Sequence, residues 1–389
     1  MQKIKGESIM RILQIMSGFG GGISSFIMNK AKQMPKYGVI FDVATYDECN
    51  QEFEQAISGT GGQIYRLANP KKAGYQAFKR SLLLAFEAHH YDAVHCHIAG
   101  YRALAYYHIA HPFVDNQFYL HAHTVRRLDT LGRKGRLLAA VERRINSHLS
   151  KAYLGCGRMA NQSFYRLDLP ESEMMVVPNS IEAQDFILSD QDQVKRREQL
   201  KAQLAINPNS YLIGHIGRLV AVKNHEKTLE IAALAKNQGL NLCFLIIGSG
   251  PRESELQKLV DQRGLSDYVK FTGRLAPISA YFAGLDALLL PSFTEGFPTT
   301  IVESQAAGVP ALVSNRVTDE VDFGIDLVTY LPLEADSQVW LKHLLTSLEQ
   351  AIPDSGHRMQ VLEAKRFTNQ ASAQLYVDFM AGRISHFHL

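Results

Sequence analysis

The fold of this chain is decided by the stretch LDALLLPSFTEGFPTTIVE, residues 285–303. Its first six residues are mostly apolar, and a short apolar run bounded by turn residues is typical of a buried strand. Pro291 and Ser292 end this strand. Proline suits the first turn of a helix, because its missing N–H is not needed there. The stretch therefore predicts a buried strand, a short loop that carries Glu295, and a helix that begins near Pro298 or Thr299.

The helix start in this stretch predicts an anion site. The backbone N–H groups of Thr299, Thr300 and Ile301 would lie free at the positive end of the helix dipole, where a phosphate binds well. Glu295 precedes this site, and Glu303 lies about one turn inside the helix. One carboxylate on either side of a diphosphate can accept hydrogen bonds from sugar hydroxyls. This combination describes a site for a nucleotide-sugar.

Short apolar strands alternate with helices on both sides of that site. The pattern begins with the strand 11–16 and restarts in the second half at 212–216. Such alternation is typical of parallel βαβ units, whose sheets bind ligands at the carboxyl ends of the strands. We therefore predict an α/β fold with two Rossmann-like domains that face each other across a cleft. The predicted limits are residues 1–185, residues 186–370, and a C-terminal helix in 371–389 that can cross back to the first domain.

Two cations, Arg218 and Lys223, lie five residues apart on the loop after the first strand of the second half. Both can reach one diphosphate, the arginine as a fork and the lysine as a point charge. They can neutralise the charge on a departing nucleotide without a metal. Each alone would be interpreted as a solvated loop charge. Together with the helix near Pro298, they indicate a diphosphate site.

Glycines mark two further candidate ligand loops, Gly20-Gly21-Gly22 and Gly248-Ser249-Gly250. Glycine lets the backbone approach a ligand closely, although a plain tight turn explains each loop equally well. A GxGxxG fingerprint is incomplete, because Ile23 occupies the position of the third glycine. Neither half combines a complete fingerprint with an acidic residue about 20 positions later. A dinucleotide-dependent dehydrogenase is therefore disfavoured.

Histidines occur in two alternating pairs, His95 with His97 and His121 with His123. Two histidines two apart on a strand share a face and can chelate a metal. No third ligand follows at a recognisable spacing, so we expect no metal. His123, near the end of its strand, is predicted to hydrogen-bond sugar hydroxyls, and His97, His121 and Gly20 are weaker candidates for the same side of the site. His95 and His121 are equally well explained as packed side chains.

Composition places the chain among soluble α/β proteins. Its 389 residues allow two substantial cores, and no apolar run approaches the ~20 residues of a membrane span. The mostly polar first nine residues lack the apolar core of a signal peptide, and the four cysteines form no CxxC pair. These features favour a cytoplasmic location. We expect no nucleic-acid partner.

The segment Arg126–Lys151 is strongly basic, and leucines recur within it at helical spacing. Two interpretations fit this pattern. A basic amphipathic helix can lie on an anionic membrane surface, which would place the protein at the inner face of the cell membrane. A solvated helix face has the same composition.

These motifs, in this order, resemble the retaining glycosyltransferases of family 4, which have the GT-B fold. The resemblance spans nearly the whole chain. Gly21 to Asn29, together with the histidine pairs, is similar to bacterial capsule and exopolysaccharide members. The chain departs from the family pattern at two places. Many relatives have Asn-Gly where this chain has Asn179-Ser180-Ile181-Glu182, and many have glutamate at the position of Ser24. The second departure weakens inferences about the acceptor side.

The resemblance implies a role for each motif. The first domain would bind the acceptor and the second the donor. Arg218 and Lys223 would hold the diphosphate, Glu303 the ribose and Glu295 the transferred sugar, which His123 would also reach. Glu295, His123, Arg218 and Lys223 are thus the expected catalytic residues. Further donor-binding residues would be Gly21, Gly22, Gly248, Arg274, Gly296, Phe297, Pro298, Thr299, Thr300 and Ile301.

The resulting hypothesis is retaining transfer of a hexose or N-acetylhexosamine. The donor would be a nucleotide-sugar, UDP-linked by expectation, and the acceptor a glycan or a lipid-linked acceptor in bacterial surface polysaccharide or glycoconjugate synthesis. No cofactor is expected, because the nucleotide-sugar is the substrate. The alternatives are a nucleotide-sugar epimerase or sugar-phosphate synthase of the same fold, and a non-catalytic donor-binding subunit.

Overall fold

The computed structural model describes residues 9–275 and 277–389. Contacts divide the chain into two compact units. The first contains residues up to Ser180 together with Arg366–Leu389, and the second is Ile181–Lys365. The predicted limits, 185 and 370, each lie five residues beyond these divisions. The predicted α/β class with parallel sheets is confirmed in both units.

In the described part of the first unit, one sheet has seven parallel strands in the order β3-β2-β1-β4-β5-β6-β7. The strands are β1 Met10–Ile15, β2 Val39–Thr45, β3 Ile64–Arg66, β4 Ala93–Cys96, β5 Phe118–Ala122, β6 Tyr153–Gly155 and β7 Met174–Val176. The polar residue Gln14 lies on β1, an interior strand of the sheet, where it pairs with His95 of β4. The carboxyl ends of β1, β4 and β5 are therefore neighbours.

Helices cover this sheet and bury the apolar faces of its strands. They are α1 Gly22–Ala31, α2 Gln51–Ser58, α3 Pro70–Ala88, α4 Tyr101–Ala110, α5 Arg133–Leu149 and α6 Arg158–Phe164. Short 3-10 helices span Met34–Tyr37, His111–Phe113 and Glu171–Glu173. Ile12 and Phe41 of the sheet pack with Phe26 of α1 in the core.

In the described part of the second unit, six parallel strands have the order β10-β9-β8-β11-β12-β13. They are β8 Tyr211–Ile216, β9 Leu242–Ile247, β10 Val269–Gly273, β11 Ala287–Leu290, β12 Ala311–Ser314 and β13 Val328–Leu331. All residues of β9 and β11 are buried, as their continuous apolar sequences predict. This order makes β8 and β11 neighbours, so the loops that follow them meet.

The helices of the second unit are α7 Ala183–Phe186, α8 Asp190–Gln203, α9 His225–Asn237, α10 Glu253–Gln262, α11 Ser279–Phe282, α12 Thr299–Ala307, α13 Ser337–Ser347 and α14 Ser355–Ala364. Short 3-10 helices span Ala221–Lys223 and Asp319–Val321. Phe244, Leu289 and Trp340 lie in the core of this unit. The predicted helix start near Pro298 or Thr299 is confirmed, because α12 begins at Thr299 with Pro298 as its N-cap.

The last helix, α15 Asn369–Met380, belongs to the first unit. Ala373, Tyr376 and Phe379 pack into the same core as β1 and α1. After the helix, the backbone of Phe387 exchanges hydrogen bonds with Met174 and Val176 of β7, at 3.1 and 2.8 Å. The C-terminal residues thus complete the core of the first unit.

Candidate active site

The loops after β8 and β11 form one cluster in the second unit. The N–H of Phe293 donates to the carbonyl of Val222 at 2.8 Å, and the amide of Asn224 donates to the carbonyl of Pro291 at 3.0 Å. These bonds fix the loop that carries Lys223 against the loop that carries Glu295. The adjacency of β8 and β11 is what brings the two predicted motifs together.

Lys223 and Glu295 form an ion pair with a separation of 2.7 Å between Nζ and Oε1. Both side chains are mostly buried, so each charge is stabilised by the other more strongly than in a surface pair. The pairing of these two residues was not predicted. Arg218, the other predicted cation, is exposed and has no ion-pair partner among the described residues. Its guanidinium is therefore available to an anion.

The start of α12 corrects one detail of the predicted anion site. The N–H of Ile301 donates to the carbonyl of Pro298 at 3.0 Å, because the first turn is tightened. The sequence predicts a free N–H at Ile301, and the structure shows that this N–H is hydrogen-bonded. The N–H groups of Thr299 and Thr300 have no protein acceptor within residues 9–275 and 277–389. The Oγ1 of Thr300 is also buried without a partner there, which the sequence did not indicate.

Glu303 lies one turn further along α12. Its carboxylate has no hydrogen-bond or ion-pair partner in the part of the chain that the structure describes, and burial raises its pKa to about 7. A desolvated, unpaired carboxylate is costly unless a ligand supplies hydrogen bonds. Ribose hydroxyls are suitable donors for it. Gly296 and Phe297 precede the helix, with Phe297 almost fully buried.

Gly248 is a position where only glycine fits. Its φ is +143°, and a Cβ there would lie 2.0 Å from the carbonyl oxygen of Gly217. The loop after β9 therefore approaches the loop after β8 without side chains between them. Beside it, Nε of Arg274 donates to Oγ of Ser249 at 2.8 Å. This contact places Arg274, a predicted donor-binding residue, next to the same loop cluster.

In the first unit, the predicted glycine turn leads directly into α1. Gly20 and Gly21 have φ of +104° and +78°, whereas Gly22 is the first residue of the helix. A Cβ would meet nothing within 4 Å at any of the three. Gly20 and Gly21 are therefore required for backbone conformation rather than for space, and their backbone is open to a ligand.

The four histidines converge at the carboxyl ends of β4 and β5. Nδ1 of His97 lies 2.7 Å from Nε2 of His123, and Nε2 of His95 lies 3.1 Å from Nδ1 of His121. His95 and His121 are both buried, which fits the interpretation that they are packed side chains. His123 is partly exposed. His95, His97 and His121 also bring one ring nitrogen each within 4.8 Å of the others, a geometry that the sequence spacing did not indicate.

The basic segment forms a helix only from Arg133 onward, as α5. Leu137, Leu138 and Val141 on this helix are 69, 53 and 48% exposed. Exposed basic residues accompany them on the helix: Arg133, Lys134, Arg136 and Arg144. The described part of the first unit thus carries an apolar stripe with basic flanks. None of the helices within the described residues is both long enough and apolar enough to cross a membrane.

Comparisons with known proteins agree with this fold. Residues 20–185 match the family described as Glycosyltransferase Family 4, and residues 196–329 match Glycosyl transferases group 1. The "Putative glycosyltransferase EpsF" of Bacillus subtilis (strain 168) is 30% identical over 340 residues, 86% of each chain. The O-antigen biosynthesis glycosyltransferase WclY of Escherichia coli is 26% identical over 155 residues, 40% of this chain and 41% of that protein.

A solved structure shows the same architecture. Anabaena Alr3699/HepE, in complex with UDP, superimposes with a TM-score of 0.74 at 18% identity, over 96% of this chain and all of that one. Two α/β units with parallel sheets, together with these matches, define the class of GT-B glycosyltransferases. The chain belongs to family 4 of these enzymes.

Proposed function

We propose that the chain transfers a hexose or N-acetylhexosamine from a UDP-sugar, with retention of configuration and without a metal. The observation that carries the proposal is the strand–loop–helix from β11 to α12. It combines the Lys223–Glu295 pair with the unpartnered carboxylate of Glu303. Arg218 adds a second cation. The UDP bound to HepE supports the choice of nucleotide.

The proposed mechanism is front-face displacement. The bond from the anomeric carbon to the diphosphate oxygen breaks, and a bond to the acceptor oxygen forms on the same face. The departing phosphate takes the acceptor's hydroxyl proton. Arg218 and Lys223 stabilise the charge that develops on the leaving diphosphate. Glu295 orients Lys223 through their ion pair and accepts a hydrogen bond from the transferred sugar.

The first unit contributes a cavity that suits a glycan acceptor. It has a volume of about 430 Å³ and includes Ser17, Tyr46 and Ile98, which follow β1, β2 and β4. Four further aromatic residues and two cations also line it: Tyr75, Phe78, Tyr101, Tyr106, Lys71 and Arg102. None of the described lining residues is acidic. We propose a glycan or lipid-linked glycan acceptor, as in surface polysaccharide synthesis, which the name of WclY also supports.

An anionic membrane surface is the second proposed partner. The apolar stripe of α5, Leu137, Leu138 and Val141, is exposed, and exposed arginines and lysines flank it. Apolar insertion and attraction to anionic headgroups act together on such a helix. A lipid-linked acceptor would be held at the same surface.

The experiment is a thermal-shift screen of UDP-, GDP-, ADP- and TDP-sugars with EDTA present and NAD as control, followed by transfer assays. Saturable binding raises the melting temperature by mass action. Stabilisation by UDP-sugars followed by transfer to an acceptor supports the proposal. Donor consumption without acceptor would identify an epimerase, and binding without turnover a non-catalytic subunit. A response to NAD alone would contradict the proposal.

Two variants test the diphosphate site directly. The double substitution Arg218→Ala with Lys223→Ala should lower transfer by at least about a hundredfold, because two charge-assisted contacts to the leaving group are lost. Lys258→Ala, an exposed lysine of α10 in the same unit, is the matched control and should retain full activity. Activity of the double variant within a few-fold of the parent would remove both residues from the mechanism.

A further inference from the structure

Six polar side chains form one hydrogen-bonded network inside the first unit. They come from β1, from β4 and β5 with the residues that follow them, and from α15: Gln14, His95, His97, His121, His123 and Tyr376. Phe26 packs edge-on against all four imidazoles, with its centroid 4.6 Å from that of His121. Because Phe26 is buried, water has little access to this side of the network. The protein itself must therefore satisfy most donors and acceptors.

One arm of the network runs from Gln14 to His123. The Oε1 of Gln14 lies 3.0 Å from Nε2 of His97. An amide oxygen can only accept, so this nitrogen of His97 carries the proton. A neutral imidazole has one donor and one acceptor; Nδ1 of His97 therefore accepts from Nε2–H of His123 at 2.7 Å. Nδ1 of His123 therefore carries no proton, and its lone pair can accept a hydrogen bond.

The other arm runs from Gln14 to His121. The Nε2 of Gln14 donates to the hydroxyl of Tyr376 at 2.9 Å. That hydroxyl uses its single proton to donate to Nδ1 of His95 at 3.1 Å. Nε2–H of His95 then donates to Nδ1 of His121 at 3.1 Å. The remaining Nε2–H of His121 is buried and has no partner among the described residues.

These proton positions hold only for neutral imidazoles, and the surroundings of the four rings keep them neutral. Burial lowers the pKa of His95, His97 and His121 well below the usual histidine value. It lowers the pKa of His123 to about 3. The charge of Lys30, which is itself buried, acts in the same direction. Near neutral pH each ring therefore carries one proton.

The amide of Gln14 has two possible directions, and each dictates a different proton arrangement. With Oε1 of Gln14 towards His97, all four histidines carry the proton on Nε2. If the amide is turned over, every bond reverses and all four carry it on Nδ1. Any mixed arrangement would place two donors or two acceptors opposite each other or leave the hydroxyl proton of Tyr376 without an acceptor, at a cost of about 1–3 kcal/mol per unsatisfied group.

We propose that Gln14 is a positioning residue that fixes all four imidazoles in the Nε2–H tautomer and so makes Nδ1 of His123 a hydrogen-bond acceptor. Its consequence for catalysis rests on the proposed function. His123 would accept a hydrogen bond from a sugar hydroxyl of the substrate and would not donate one. The tautomers themselves do not depend on which reaction the protein catalyses.

The test is long-range ¹H–¹⁵N NMR of the full chain with ¹⁵N-labelled histidine, assigned by substituting each of the four by glutamine in turn. We expect four Nε2–H tautomers in the parent. A mixture of tautomers would contradict the proposal that the proton positions of the four imidazoles are fixed together. Four Nδ1–H tautomers would contradict the acceptor role of His123. Stoichiometric zinc in the purified protein would also overturn it, because a metal would replace the bond between His95 and His121.

Two variants separate the arms of the network. Gln14→Leu should leave His123 without a fixed tautomer, whereas Tyr376→Phe should disturb His95 and His121 and leave His123 as Nε2–H. An unchanged His123 in folded Gln14→Leu would contradict the proposal. Should that variant fail to fold, the parent spectrum and Tyr376→Phe still decide the question.

A kinetic measurement links the tautomer to catalysis. Loss of one oriented hydrogen bond should lower kcat/KM of Gln14→Leu by about tenfold, with UDP affinity within about twofold of the parent. Full kcat/KM with a randomised His123 tautomer would refute the catalytic consequence. An inactive parent would instead count against the proposed function and leave the NMR result standing.

Discussion

Glu303 combines a raised pKa with an unpaired carboxylate, and this makes donor binding sensitive to pH. Its pKa is about 7, above the ordinary glutamate value, because burial disfavours the charge. In the proposed site, ribose hydroxyls would donate to the ionised form of Glu303, so protonation would compete with binding. We expect the Kd for a UDP-sugar to rise by up to about tenfold for each pH unit below 7. Titration calorimetry between about pH 5.5 and pH 8.5 measures this.

Glu303→Gln supplies the control for that titration. It should bind more weakly at high pH and lose the dependence near pH 7, because glutamine does not ionise. A parent whose affinity is constant across this range would show that Glu303 does not contact the ribose.

Gly248 provides a second test at the scale of one residue. Gly248→Ala places a methyl group 2.0 Å from the Gly217 carbonyl, so the loops after β8 and β9 must separate. We expect a loss of about 1–3 kcal/mol of unfolding free energy and weaker donor binding. Urea unfolding followed by the fluorescence of Trp340, the single tryptophan, reports on this unit.

Gly239→Ala is the matched control for Gly248→Ala. Gly239 also has a positive φ, +64°, but a Cβ there meets nothing within 4 Å. This substitution should cost only the conformational strain, about 1 kcal/mol. Equal losses in the two variants would show that the close approach at Gly248 is unimportant.

Much of the candidate site in the second unit could be predicted from single residues. The carboxylates, the cations and the proline at the helix start all lie in short local motifs whose chemistry is read directly. The ion pair of Lys223 with Glu295 could not, because it joins residues 72 positions apart through strand order. Gln14 did carry a signal, since it is a polar residue inside an apolar strand. Its partners depend on tertiary contacts that no local pattern specifies.

At the scale of one element, the exposed face of α5 leads to a prediction about membrane binding. Replacing Arg133, Lys134 and Arg144 by Gln should weaken binding to phosphatidylglycerol vesicles at least about tenfold, at about 1 kcal/mol per residue near the surface. Vesicle flotation or co-sedimentation measures the change. Phosphatidylcholine vesicles should bind parent and variant equally weakly.

A control variant with the same net charge separates position from charge. Lys195, Arg196 and Lys258 are exposed on α8 and α10 of the second unit, and their replacement by Gln should leave vesicle binding unchanged. If both triple variants lose binding equally, the attraction is a property of overall charge. If neither loses binding, α5 is a solvated helix.

The predicted extent of elements illustrates the limit of sequence patterns. The basic stretch was identified from Arg126, whereas the helix begins at Arg133 after Gly132. Arg126 instead forms an ion pair with Glu142 of the helix. Charge pattern indicated the amphipathic face but not the residue at which the backbone becomes helical, because that depends on packing of the preceding loop.

For the whole molecule, buried neutral histidines predict sensitivity to acid. His95, His97 and His121 in the first unit have pKa values well below the ordinary value near 6.5, and His215 and His225 do so in the second. A lowered folded pKa stabilises the protein above the unfolded value, and this stability is lost as the pH falls towards the folded value. Each buried histidine should lower the free energy of unfolding by about 1 kcal/mol when the pH has fallen to about 5.5.

The two units should differ in this response. In the second unit, Glu303 and Asp286 have raised pKa values. Protonation of these carboxyl groups stabilises the folded unit as the pH falls, and this offsets the destabilisation by its histidines. Between about pH 7 and about pH 5.5, the urea midpoint of unfolding should therefore fall more for the first unit than for the second. Limited proteolysis follows the unfolding of the first unit. Trp340 fluorescence reports the second unit. A larger shift in the second unit would contradict the assignment of neutral histidines to the first.

The return of the chain at Arg366–Leu389 has a consequence for biosynthesis. A ribosome releases residues in order, and domains commonly fold as they emerge. The second unit is one continuous segment and is available in full before the first is complete. The first unit must wait for Tyr376 and Phe379, which follow the whole second unit in the chain. A nascent chain stalled before α15 would therefore expose the apolar surface of β1 and α1 to chaperones, and a premature stop codon there would leave the first unit without its final core layer.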